Sequence, residues 1–151
     1  MTKILDGMDG VRDAIGESLG HSDWLEITQE RVDLFADATG DHQWIHVDVE
    51  RGATSEFGGT IAHGFLTLSL MPTLLPQVVV ISGFSAALNY GLNRLRFPSP
   101  VRVGSRIRLA VVLAAAEAVE GGMQVTYSLT FEIEGQEKPA CVAEVLIRQL
   151  L

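Results

Sequence analysis

The chain carries a single cysteine, Cys141. One thiol cannot close an internal disulfide, nor can it build a cysteine-ligated zinc site. Basic residues are scarce as well: 11 Lys and Arg stand against 19 Asp and Glu, leaving a net charge of −8. Such a surface repels nucleic acid and anionic membranes, so neither is expected as a partner. A clean membrane span is missing too. Residues 57–93 hold no Asp, Glu, Lys or Arg, yet Pro72, Pro76, Gln77 and Gly83 interrupt the stretch, whereas a spanning helix needs about 20 predominantly apolar residues. The opening MTKILDGMDG carries Asp6 and Asp9 and lacks the apolar core of a signal peptide. A cytoplasmic, reducing setting is expected.

What is present is a chain of 151 residues, 47% hydrophobic. That size suits one domain, spanning 1–151, with a core that needs no staples. Residues 10–19, GVRDAIGESL, read as a short amphipathic helix with Gly20 as its stop. DWLEI (23–27) reads as a short strand. Thr28 is placed to cap the helix QERVDLFADAT, and Gly40 to end it. Asp48 is placed to cap a turn or two over 48–54. Residues 62–77 are apolar nearly all round, which marks a buried helix.

The remainder reads as β. In 82–97 the apolar parity switches after Tyr90, which predicts a bulge or bend near Gly91. Val125, Tyr127, Leu129, Phe131 and Ile133 alternate with polar neighbours, and 138–150 closes the chain. Helices early and long strands late predict an α+β domain, an antiparallel sheet wrapped on one buried helix.

One nine-residue stretch carries most of the polar chemistry: GDHQWIHVD, 40–48. Asp41 and His46 are five residues apart, about 140° apart on a helix, so they share a face only if the chain bends between them. Alone, Asp41 reads as a turn residue. Charge is segregated further on. No acid occurs between Phe57 and Ala116, while Arg94, Arg96, Arg102, Arg106 and Arg108 fall within that window. These arginines either bind an anion locally or face water along strands.

FADATGDHQWIHVD followed by FGGTIAHGF resembles the signature of the MaoC-like, (R)-specific enoyl-CoA hydratase family, hydratase 2. Gly40, Asp41, Ile45, His46, Asp48, Phe57, Ile61, His63 and Gly64 stand at the matching places, and NRLRFPSPVRVGS (93–105) is similar to the strand and turn that follow. The resemblance covers roughly Thr28 to Ser105. It departs at one point, where the family's Asn-Pro pair is Gln43-Trp44.

The resemblance implies a hot-dog fold, a curved antiparallel sheet around a long central helix, and a homodimer pairing sheet edges. It implies reversible syn hydration of a trans-2-enoyl-CoA to a (3R)-3-hydroxyacyl-CoA. Asp41 and His46 would hold and deprotonate the water, and the Gly64 N–H would bind the thioester oxygen. His63 would contact substrate or orient the loop. Arg94 and Arg96 lead the arginines expected to bind the phosphates of coenzyme A, and Leu66, Leu70 and Phe84 are either core or the lining of an acyl tunnel. No metal and no separate cofactor is called for, since coenzyme A enters with the substrate. The alternatives are a 3-hydroxyacyl dehydratase acting on an acyl-carrier-protein thioester and a non-catalytic acyl-thioester-binding protein.

Overall fold

A computed structural model describes residues 1–151. The elements run β1 (Lys3–Asp6), α1 (Gly7–Asp13), β2 (Ser18–His21), β3 (Leu25–Glu26), α2 (Gln29–Thr39), α3 (Trp44–Val47), α4 (Val49–Ala53), α5 (Gly64–Ser69), α6 (Met71–Val78), β4 (Val79–Ser82), β5 (Ala86–Arg96), β6 (Arg106–Val119), β7 (Gly122–Ile133) and β8 (Cys141–Leu150). The main sheet has the order β2-β6-β7-β8-β5, antiparallel throughout, with β3 paired to β6. One face of this sheet wraps α5 and α6.

The alternation expected in the last strands is present. Val125, Tyr127, Leu129, Phe131 and Ile133 are buried on β7, and Cys141, Ala143, Val145 and Ile147 are buried on β8. They meet Leu66, Leu70, Leu74 and Val78 of the helical segment in one continuous apolar cluster. Each such side chain contributes about 1.5–3 kcal/mol on leaving water. The parity switch in β5 corresponds to irregular register at Asn89/Gly91 and again at Leu92/Arg94.

Three local expectations are corrected. The central helix is two helices, broken at Leu70 and starting at Gly64 rather than near Ala62. Pro72 lies in the first turn of α6, where an amide N–H has no helical acceptor to lose. The helix expected over 10–19 ends at Asp13, and Ser18–His21 joins β6 as a strand; tertiary pairing outweighs the local pattern there. A two-stranded parallel pair, β1 with β4, was not foreseen at all. Four residues that pair only with a segment more than seventy positions away leave no periodic trace. No helix is long and apolar enough to cross a membrane.

Candidate active site

The bend required between Asp41 and His46 is built by three adjoining caps. Thr28 accepts the Arg31 N–H at the start of α2. Gly40 ends that helix in the left-handed region, φ 79°, which glycine enters without steric cost. Asp48 accepts the Arg51 N–H and starts α4. Between them the chain reverses, and the Asp41 carboxylate accepts the Gln43 N–H at 3.3 Å, an Asx-type turn. His46 then sits on the single turn α3 and is 6% exposed.

Gln43 and Trp44 keep this backbone. Gln43 is extended, φ −56° and ψ 140°, the conformation that a following proline would impose. Trp44 occupies the first helical position, and the Arg51 guanidinium lies 3.9 Å from its ring centroid. Gln43 thus holds a backbone conformation that a following proline would also accept.

The imidazole of His46 has a defined tautomer. Its Nδ1 is 2.6 Å from the Ile61 carbonyl oxygen, which can only accept, so Nδ1 carries the proton and Nε2 the lone pair. Burial lowers its pKa below the ordinary 6.5, and neighbouring His63 adds to this, against opposing contributions from the Ile61 carbonyl and Asp41. Nε2 lies 3.9 Å from Asp41 Oδ2. That is too long for a direct hydrogen bond. A water donating to two acceptors holds them about 4.4 Å apart at ordinary hydrogen-bond lengths, so the gap suits one bridging molecule.

His63 is 3% exposed and stands behind this pair. Its Nε2–H donates to the Asp41 carbonyl at 2.9 Å. Its ring stacks on His46 with centroids 3.8 Å apart, and Phe35 tilts against it at 4.9 Å. Nδ1 is buried without a partner. The structure therefore places His63 against the loop, the second of its two expected roles, and not on the wall of the adjoining cavity. Asp41, His46 and His63 are close enough to suggest metal ligands. The His63 Nε2 nearest Asp41 is already engaged as a donor to the Asp41 carbonyl, so it offers no lone pair to a metal in this arrangement.

Behind His46 lies a cavity of about 340 Å³ whose walls include Ile61, Gly64, Thr67, Phe97 and Ala140. Asp41 does not line it; its half-exposed carboxylate lies 3.9 Å from the His46 Nε2. The Gly64 N–H has no acceptor in the chain, because the first helical bonds to the His63 carbonyl come from Leu66 and Thr67. A Cβ at Gly64 would stand 2.9 Å from the Phe97 ring, so glycine keeps the amide accessible beside that ring.

Two sets of candidate substrate contacts stand away from this cavity. Arg94 and Arg96 pair across from Glu144 and Val142, on the sheet face opposite the buried Ala143 and Val145, and neither lines the cavity. Bulges reset the strand's facing, so their orientation could not be read from spacing. Leu66 and Leu70 are core residues, and Phe84 packs on the core without reaching the cavity.

A positioning residue escaped the sequence reading. Gln29 donates to the His46 carbonyl at 2.8 Å and to Asp33 Oδ1 at 2.9 Å, and accepts from the Thr60 hydroxyl at 2.5 Å. It ties α2, the dyad loop and the segment leading to Gly64 together. A glutamine after a helix cap carries no local signal of that role.

Comparison with known proteins places the chain in a family. The family described as "MaoC like domain" matches residues 11–133. A 3-hydroxyacyl-thioester dehydratase Z of Mycobacterium tuberculosis is 58% identical over 136 residues, covering 89% of this chain and 90% of that protein. Nodulation protein N of Rhizobium leguminosarum bv. viciae is 51% identical, covering 85% and 82%. Among solved structures, the R-hydratase PhaJ1 of Pseudomonas aeruginosa, unliganded, superposes with a TM-score of 0.71 at 23% identity, covering 90% and 81%. That likeness bears on the fold, which is the hot-dog arrangement.

Proposed function

The chain belongs to the MaoC-like dehydratase family, and from that premise we propose that it catalyses the reversible syn addition of water to a trans-2-enoyl thioester, giving a (3R)-3-hydroxyacyl thioester, with coenzyme A as the carrier. The observation that carries this reading is the approach of the Asp41 carboxylate to the bare His46 Nε2, 3.9 Å apart, beside the unpaired Gly64 N–H.

The chemistry has three requirements, and one group meets each. The thioester makes C3 electrophilic. Water is held between Asp41 and His46; its O–H bond breaks toward the pair as its oxygen bonds to C3. Negative charge passes to the thioester oxygen, where the Gly64 N–H donates; a preorganised donor of this kind contributes about 3 kcal/mol to a barrier. The pair then returns a proton to C2, so water is added with no net proton gained or lost. The two groups act as one acid–base unit. No metal and no further cofactor is needed for these steps.

The free edge of the sheet supports a homodimer. β5 pairs with β8 on one side only, and it exposes Leu88, Tyr90 and Leu92. A long apolar edge of this sort is covered in stable proteins, and a twofold pairing of β5 with its copy covers both edges at once. A cytoplasmic setting is retained from the composition.

The test is direct. Purified protein mixed with crotonyl-CoA should consume the enone absorbance, and chiral analysis should give the (3R)-hydroxy product. Release of free CoA thiol, an S product, or no turnover on either a CoA or a carrier-protein thioester would overturn the assignment.

A further inference from the structure

The substrate proposed above is an anion, and its phosphates need a partner; this inference rests on that reading. Of the five arginines in the acid-free stretch, four are accounted for. Arg106 pairs with Glu134 and Arg108 with Glu132. Arg94 and Arg96 lie on the outer face of β5. Arg102 is left, and its side chain makes no ion pair with any acid of the chain.

The surroundings of Arg102 are constructed around it. Its backbone bridges to Ile61, three residues before Gly64. Its stem runs along the glycine pair after Phe57. A Cβ at Gly59 would meet its Cδ at 3.1 Å, and one at Gly58 would meet Nη1 at 3.2 Å. A side chain at either position would make the arginine give by a few tenths of an ångström. The side chain borders a depression of about 280 Å³ that shares Phe57, Ile61, Ser99 and Pro100 with the catalytic cavity. Glu56 is the other charged group lining it. The two hollows share this wall, and a guanidinium stands on the border of the second.

We propose that Arg102 binds the phosphate attached to the pantetheine arm of the acyl thioester. An arm that starts at the Gly64 amide and leaves the cavity past Phe57 and Pro100 runs through this depression. Guanidinium suits the site because its planar fork matches a phosphate with two parallel hydrogen bonds. The same phosphate occurs in coenzyme A and on a carrier protein, so the contact serves either carrier.

Steady-state kinetics of the wild type and Arg102→Gln on three crotonyl thioesters test this: CoA, 4′-phosphopantetheine and unphosphorylated pantetheine. For the variant, KM should rise about 10-fold on the two phosphorylated substrates with kcat unchanged, the loss expected for a charge-assisted contact to bound substrate. KM on the pantetheine thioester should not move. Arg102→Lys, which keeps the charge and loses the fork, should fall between. A rise confined to the CoA thioester would move the contact to the nucleotide phosphates and overturn the assignment. So would an equal rise on all three substrates, which marks a change of loop shape, or no change on any. A wild type inactive on all three and on a carrier-protein thioester as well would instead remove the hydratase reading itself, and this subsite with it.

Discussion

His46 works because its surroundings fix both its charge and its orientation. The Ile61 carbonyl accepts the Nδ1–H hydrogen bond, and burial favours the neutral ring. Lowering the folded pKa below 6.5 has a definite sign. Between the folded value and 6.5 the unfolded chain binds the proton and the native one does not, so stability falls as pH drops through that window, and His46 contributes no pH dependence above it. His42 has the opposite sign, because its hydrogen bond to Asp37 raises its pKa. Catalysis should follow the neutral His46. The acid limb of kcat/KM should have its midpoint below 6.5, and a midpoint above 6.5 would mean that the imidazole is not held neutral by its pocket. At this scale the sequence was informative. Asp41, His46 and Gly64 stood out as a set, and the structure brings the first two together beside the third. His63 was visible as a residue, yet its burial between Phe35 and His46 depends on packing that no motif records.

Elements were legible where their signals are local. Thr28, Gly40 and Asp48 each act at one helix end through one hydrogen bond or one backbone angle, and each was read from residue type and spacing. The strands β7 and β8 announced their buried faces because a period of two survives in sequence. What was lost depended on distant partners. Ser18–His21 became a strand because β6 offers it a ladder. The helical segment divides at Leu70, and its all-round apolarity hid where the turn would fall. The facing of Arg94 and Arg96 was unreadable for the same reason: two irregularities in β5 intervene, and each resets the side of the sheet that later residues face. Arg102 stands on a loop, so spacing carried no information about its neighbours at all.

For the whole molecule, the free β5 edge and the segregation of charge set what the surface can do. The net charge of −8 keeps the chain soluble and away from other polyanions, so binding an anionic thioester calls for a local cation at the site. The exposed apolar residues of β5 call for a second copy. Sedimentation of purified protein should show a species of twice 16.3 kDa, and a monomer at micromolar concentration would contradict the edge pairing.

The central claim is that one carboxylate and one imidazole handle a single water. It is tested most directly by comparing crotonyl-CoA hydration for Asp41→Asn, His46→Gln and the double variant. Each single change should lower turnover by at least about 10²-fold, the lower range for general acid–base catalysis. The double variant should fall little further, because groups that act as a unit lose their effect together. Losses that multiply to about 10⁴-fold in the double variant, or near wild-type turnover in either single one, would contradict a shared water.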